Sequence, residues 1–479
     1  MLRAFPDEQH VHAAAINAVT TRADRSDLPD DIGVQVAAAW SSFIERYSGT
    51  GLVTAYAVRD GDNPLADIEP QLRAQAATFQ EVLGMVEHQG MPIGLLDRVV
   101  GKPYSAVFLY RPLGYHRSAS TVPQDIAIEL EMARAATTTT CFIDASALYT
   151  LALIPGFAQT LISLTQRPTI TDAALGDLVA ADDLFSMPAA GTLAFDSRLG
   201  RIVATESEPD IIQRQQGQIR AMLAAARELR RVIHPAMVHL PSMDERREPV
   251  WLLNVDAAKD NHGVLWADDL GLRRLAHSLG LKTFGTQSLL SVAHERRRID
   301  DTQLASITRA LIGEYVVDLL FDQAALLSVA ADQHWQPRSV ATVLSRPASW
   351  VAVEPAIAVF RAAFRKAPRE MLAGWAYAAL HGLSQASTPD HRYNNLVELT
   401  AATLGEDWTG PGHPAAFVTA LTAITPNDAD SIIHAALDRV WKRMKEAYAT
   451  EDAITVFLHI ISDLEEAHRQ YAVRVVLST

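Results

Sequence analysis

Strand-forming runs are confined to the middle third of this chain, and that asymmetry constrains its fold more than any other feature. Between about residues 137 and 298, short apolar stretches alternate with amphipathic helical patterns: "CFIDASAL", "PTITDAALGDLVAAD", "GTLAFD", "RIVATE", "GVLWADDLGLRRLAHSLGL" and "KTFGTQSLL". Alternation of this kind specifies βαβ units and a mainly parallel sheet. On either side, apolar residues recur at three- and four-residue steps, as in "VQVAAAWSSFIERY", "LRAQAATFQEVLGMV" and "VEPAIAVFRAAFRKAP", which is the spacing of amphipathic helices. The expected architecture is an α/β domain over 137–298, between a helical N-terminal region over 1–136 and a helical C-terminal region over 299–479. Residues 1–30, polar and acidic, read as a lead-in to the first helix.

Composition narrows the class. At 479 residues the chain exceeds one typical domain. With 49% apolar and 20% charged residues it has the material for a core. A formal net charge of −14 argues against a protein that coats nucleic acid generally, though not against one basic groove. Cys141 is the single cysteine, so intrachain disulfides and cysteine-rich zinc modules are excluded. The opening "MLRAFPDEQH" puts acid and proline where a signal peptide needs an apolar stretch. The longest apolar passage, "YVVDLLFDQAALLSVAA", is interrupted by Asp318 and Asp322 and falls short of a membrane span. A cytoplasmic protein without a membrane segment is expected.

The middle region carries its carboxylates in suggestive places. Asp144 closes the run "CFI", and Ser146 follows where its hydroxyl can support that carboxylate. A second strand, Thr169–Ile170, runs into a helix with Thr171 as N-cap and Asp177 further along. Asp268 and Asp269 close "GVLWA" and open the next helix. In parallel α/β sheets, sites gather at the carboxyl ends of strands. Clustered carboxylates repel unless a cation neutralises them, and all-oxygen ligation suits Mg²⁺ or Mn²⁺. Taken singly, each of these residues also reads as a cap or turn former (Asp144, Asp268, Asp269) or as part of a solvated helix face (Asp177). Of the pair Asp268 and Asp269, one is expected as ligand and the other as helix cap.

Other constellations are absent. The chain has no HExxH, GxSxG, strand-linked GxGxxG or paired CxxC. "VGKPY" lacks the first glycine of a phosphate loop and has Pro103 in place of the hydroxyl residue. His234, His239 and His262 lack metal-ligand spacing, and Trp266 reads as core.

Together, "FIDASAL", "PTITDAALGDL" and "VLWADDLGLRRLAHSLGLKTFGTQSLL" resemble the segments of PIN-domain nucleases, over roughly 141–295. The first is similar to that family's opening strand, which ends in Asp and then Ser. In the second, Asp177 stands where glutamate is commoner. The third, with Asp268, Asp269, Arg273 or Arg274, Ala276, Gly280, Gly285–Thr286 and Leu289–Leu290, is the most specific. The chain departs from the pattern near Trp251, where the family carries a further aspartate. Glu248 is the nearest substitute, Asp256 and Asp260 lying too far along the helix. The stretch from Asp182 to Asp244 is longer than compact members need and implies an insertion.

The resemblance implies a metal-dependent endonuclease, usually of RNA. Asp144, Asp177 and Asp269 are then the expected catalytic set. Asp144, Asp177, Asp268, Asp269 and Glu248 form the pool of ligands for Mg²⁺ or Mn²⁺, with Ser146, Arg273 and Arg274 near the substrate. Residues 211–300 hold 14 Lys+Arg against 10 Asp+Glu, with Arg227, Arg230 and Arg231 expected within one helical turn and Arg296–Arg298 in a run. Such a strip could hold the phosphates of a single-stranded RNA, or be a solvated helix face. The helical regions are expected to bind a protein partner or sense a signal. The alternative is a non-catalytic scaffold or regulator that keeps a degenerate PIN-like fold.

Overall fold

The computed structural model describes residues 30–47, 65–186, 192–205, 208–241, 248–320, 322–406 and 412–477. The polar lead-in expected over 1–30 lies outside them except for Asp30. The strands are β1 (His116–Arg117), β2 (Thr140–Ile143), β3 (Gln166–Thr171), β4 (Thr192–Asp196), β5 (Arg201–Thr205), β6 (Arg230–Val232), β7 (Val264–Trp266), β8 (Lys282–Phe284) and β9 (Val316–Val317).

The main sheet runs β6-β3-β2-β7-β8, and all its pairings are parallel. Its central strand β2 is "TCFI", with Cys141, Phe142 and Ile143 buried. Such a run suits a parallel strand covered on both faces. The chain leaves β2 toward β3 and β6, then returns on the other side as β7 and β8, so strand order reverses between β2 and β7. Open α/β sheets bind ligands at this switch point, beyond the carboxyl ends of the strands. The register Ile143↔Trp266 brings Asp144 and Asp268–Asp269 to that edge. Trp266 is fully buried, stacked on Phe284 at 5.9 Å, with its indole N–H donated to Thr286 Oγ at 2.9 Å.

Two features of this region differ from the sequence reading. Arg227, Arg230 and Arg231 do not share a helical turn. Arg227 ends the helix Pro209–Arg227, whereas Arg230 and Arg231 lie in β6. The reason is main-chain pairing: β6 completes the sheet edge against Thr169–Thr171, and ladder formation there outweighs a weak local helix preference. Between the helices Asp172–Ser186 and Pro209–Arg227, β4 and β5 form a separate antiparallel hairpin.

The apolar cluster around the sheet also takes in residues from the helical N-terminal side, among them Val86, Ile93, Leu96, Tyr104 and Phe108. A second cluster is built by helices after Ile312, around Trp375, Phe360 and Phe417. The helix Asp301–Gly313 between them begins with a capping box. Asp300 accepts from the Gln303 N–H at 2.8 Å, and the Gln303 side chain accepts from the Asp300 N–H at 3.0 Å. The ladder β1–β9 pairs His116 with Val316 and Arg117 with Val317. Beside it the buried Asp318 carboxylate meets Arg117 at 2.9 Å and Arg346 at 3.3 Å.

Candidate active site

Asp144 caps the helix Ala145–Leu153 that follows β2. Its Oδ2 accepts from the Ser146 N–H at 2.9 Å, the Ser146 hydroxyl at 2.5 Å and the Tyr104 phenol at 2.9 Å. Its Oδ1 accepts from the Asn254 amide at 3.1 Å. The residue is fully buried. The two sequence readings of Asp144 therefore hold at once: it is a helix cap, and it stands at the switch point with three other elements reaching toward it.

Asp269 lies across the switch point and caps the helix Leu270–Ser278, its Oδ1 accepting from the Leu272 N–H at 3.2 Å. Its Oδ2 accepts from the Ile93 N–H at 2.8 Å. Burial, aided by the nearby Asp144 charge, pushes the Asp269 carboxyl up to about 7, against the pull of those two N–H groups and Arg273. Asp268 is held differently. Its Oδ1 accepts from the Thr286 N–H at 2.7 Å and its Oδ2 from the Thr286 hydroxyl, which ties the end of β7 to the helix Thr286–Glu295. Burial also raises the Asp268 carboxyl, against Arg273 and Thr286. Of the pair, Asp269 is the helix cap, and Asp268 ties the end of β7 to the following helix.

Asp177, buried on the helix Asp172–Ser186, accepts from the Tyr104 N–H at 2.9 Å with Oδ1 and from the Ser105 N–H at 2.8 Å with Oδ2. It therefore satisfies the first turn of the helix Tyr104–Tyr110, whose opening N–H groups have no partner within the helix. Thr171 begins the Asp177 helix, its hydroxyl accepting from the Ala174 N–H at 3.2 Å.

Tyr104 bonds to two of these carboxylates, and sequence reasoning missed it. Its phenol donates to Asp144 and its N–H to Asp177, while the Asp144 and Asp269 charges add to burial in raising its hydroxyl well above the usual range. Asn254 was also missed. The helix Val250–Asp260 is the one expected to bring a further acid, and Asn254 is the residue on it that meets Asp144. Its Oδ1 accepts from the Thr171 hydroxyl at 2.5 Å. A lone amide in the buried run "VWLLNVDAA" is the signal that could have found it.

The remaining sequence candidates fall around this centre. Glu248, half-buried, lines a cavity of about 340 Å³ with Asp97, Lys102, Tyr104 and Asp177. Ser146 is buried under Asp144, and its Oγ accepts from the Asp268 N–H at 2.9 Å. Arg273, read as near the substrate, is instead committed internally. It donates to Glu129 at 2.9 Å, to the Ala267 carbonyl at 2.7 Å and to the Ser118 carbonyl at 2.9 Å. Arg274 lines a cavity of about 30 Å³ beside Asp269, with Glu87, His116 and Arg117. Asp256 accepts from the N–H groups of Val238, His239 and Leu240 and pairs with His234 at 2.8 Å. Burial works against its ionisation, but those donors together hold its carboxyl below the usual range.

These residues do not fit a shared metal ion as they are placed. Among the described residues no group of three or more His, Cys, Asp or Glu is arranged to hold one. Asp269 and Asp177 open onto different cavities. Asp144 already accepts four hydrogen bonds, about the capacity of a carboxylate.

Residues 142–278 match the family described as "PIN domain associated with the TPR-GreAB-C-PIN system". This segment is a PIN domain. The match takes in the end of β2, the strands β3 to β7 and all four candidate aspartates. No curated protein and no solved structure matches the chain. Among the described residues no helix is long and apolar enough to cross a membrane.

Proposed function

We propose that this PIN domain is a metal-dependent endonuclease that cleaves RNA phosphodiesters and uses Mg²⁺ or Mn²⁺, with Asp144, Asp177 and Asp269 as its acidic set. One observation carries the reading. Two carboxylates from separate elements, Asp144 and Asp177, accept from a single residue, Tyr104, at the switch point of a parallel sheet, with Asp269 across that switch point and its charge acting on the same phenol. Concentrating buried carboxylates is costly for a fold, and a nuclease-type domain has a use for such a cluster. Arg274, on the cavity beside Asp269, is the cation assigned to a substrate phosphate, whereas Arg117 on the same cavity is paired with Asp318. The family description speaks of a system, which suits helical regions that engage a protein partner. The test is cleavage of labelled single-stranded RNA, with single-stranded DNA beside it, in Mn²⁺ or Mg²⁺ and with protein in excess. RNA product that needs the metal and is lost in Asp144→Asn supports the reading; equal cutting by Asp144→Asn overturns it.

Asn254 favours a second reading. An amide donates to Asp144 from the helix on which the family pattern calls for another acid, so the domain could serve as a binding module that has given up catalysis. A well-folded chain that neither binds Mn²⁺ nor cuts RNA, in any variant that exposes the carboxylates, would establish it.

A further inference from the structure

The acidic set and a metal ion do not fit together in this structure, and one stretch of chain that precedes the PIN domain donates to each of the three carboxylates, beside donors from Ser146, Asn254 and Leu272. We propose that residues 91–110 are an inhibitory occupant of the acidic site, holding it shut until they are displaced; this rests on the nuclease reading above. Each of the three carboxylates takes a donor from this stretch. Ile93 N–H is on Asp269, the Tyr104 phenol is on Asp144, and the Tyr104 and Ser105 N–H groups are on Asp177. Donors placed this way offset carboxylate repulsion as a cation would. They occupy the oxygens a cation would need.

The stretch is anchored on both sides of the site. Tyr104, Ala106, Val107, Phe108 and Leu109 are buried, and Phe108 stacks on Tyr149 of the helix that Asp144 caps, at 5.9 Å. At the other end, Met91 and Pro92 pass so close to Gly271 that a Cβ there would lie 2.4 Å from the Met91 carbonyl oxygen. Gly271 sits two residues after Asp269, so close backbone approach delivers Ile93 to that carboxylate. Burial of this extent keeps the closed arrangement dominant in the unaltered chain, and displacing it requires a competing partner or RNA surface.

The experiment measures Mn²⁺ affinity and RNA cleavage on the full chain and two variants. Tyr104→Ala empties the centre of the cluster. Gly271→Ala pushes Met91–Ile93 away and alters none of the carboxylates. Both are expected to bind Mn²⁺ at least about tenfold more tightly than wild type, with melting temperature rising roughly 5 °C at about a hundredfold excess over Kd. That gain is expected to disappear when Asp144→Asn is added. Wild type binding Mn²⁺ as tightly as the variants overturns the proposal, as does a folded variant with no gain. Variants that gain Mn²⁺ binding through Asp144 and still leave RNA intact uphold the occlusion and refute the nuclease reading. Should neither variant fold, amide exchange in wild type decides: Mn²⁺ at high concentration is expected to speed exchange at Ile93, Tyr104 and Ser105, and unchanged protection overturns the proposal.

Discussion

Replacing Asp269 with asparagine should remove a pH dependence that this carboxyl imposes on folding. Burial, with the Asp144 charge beside it, raises the carboxyl from 3.8 to about 7. Between those values the native state keeps a proton that the unfolded chain has released, so stability falls as pH rises. The favourable contribution is complete below about 3.8 and is lost as pH passes through about 7. At roughly 1.4 kcal/mol per pH unit, the interval from pH 5 to about 7 is worth on the order of 3 kcal/mol. Asparagine cannot ionise, yet it caps a helix as well as aspartate does, so the Leu272 bond survives. With its oxygen kept on Leu272, its NH2 group cannot accept from the Ile93 N–H, a cost of about 1–3 kcal/mol that does not depend on pH. The assay is urea unfolding of wild type and Asp269→Asn at pH 5 and pH 8, where other titrating groups cancel in the difference. Wild type should lose about 3 kcal/mol relative to the variant between the two pH values. Parallel profiles would refute the reasoning, because they would mean that Asp269 ionises as an exposed carboxyl does.

Other perturbations test the same geometry. Tyr104→Phe deletes the phenol that Asp144 accepts from and should cost about 1–3 kcal/mol in urea unfolding. Arg273→Lys cannot reproduce the three-way donation to Glu129, Ala267 and Ser118; a loss of about 2–4 kcal/mol is expected, and a neutral result would mean that Arg273 is free to turn outward. Asp318→Asn leaves Arg117 and Arg346 facing one another without their shared carboxylate. It should cost about 3–5 kcal/mol and speed proteolysis between the two apolar clusters.

The parts of the fold legible in the sequence are those where a local signal and its tertiary use coincide. β2 and β7 are short apolar runs followed by residues suited to start a helix, and Asp144 and Asp269 there cap the helices at the switch point. β6 was not legible. Two of its three residues are arginine, and only pairing with Thr169–Thr171 makes it a strand. The same division holds at the site. Asp144, Asp177 and Asp269 lie in segments that resemble PIN-domain nucleases, whereas Tyr104 sits in "KPYSAVFLY", an apolar helix start with no chemical mark. Its relation to Asp144 and Asp177 exists only across 40 and 73 residues of intervening chain. Asn254 stands three residues beyond the position obtained by counting, because the face that reaches Asp144 depends on where its helix begins.

The central claim is that Asp144, Asp177 and Asp269 form one acidic site around Tyr104. The most direct measurement is Mn²⁺-dependent cleavage of labelled single-stranded RNA by Tyr104→Ala, repeated with Asp144→Asn, Asp177→Asn or Asp269→Asn added in turn. Cutting by the single variant that is lost in each of the three double variants is the predicted result. Cutting that survives removal of any one of the three carboxylates, or a folded Tyr104→Ala chain that neither binds Mn²⁺ nor cuts RNA, would contradict it.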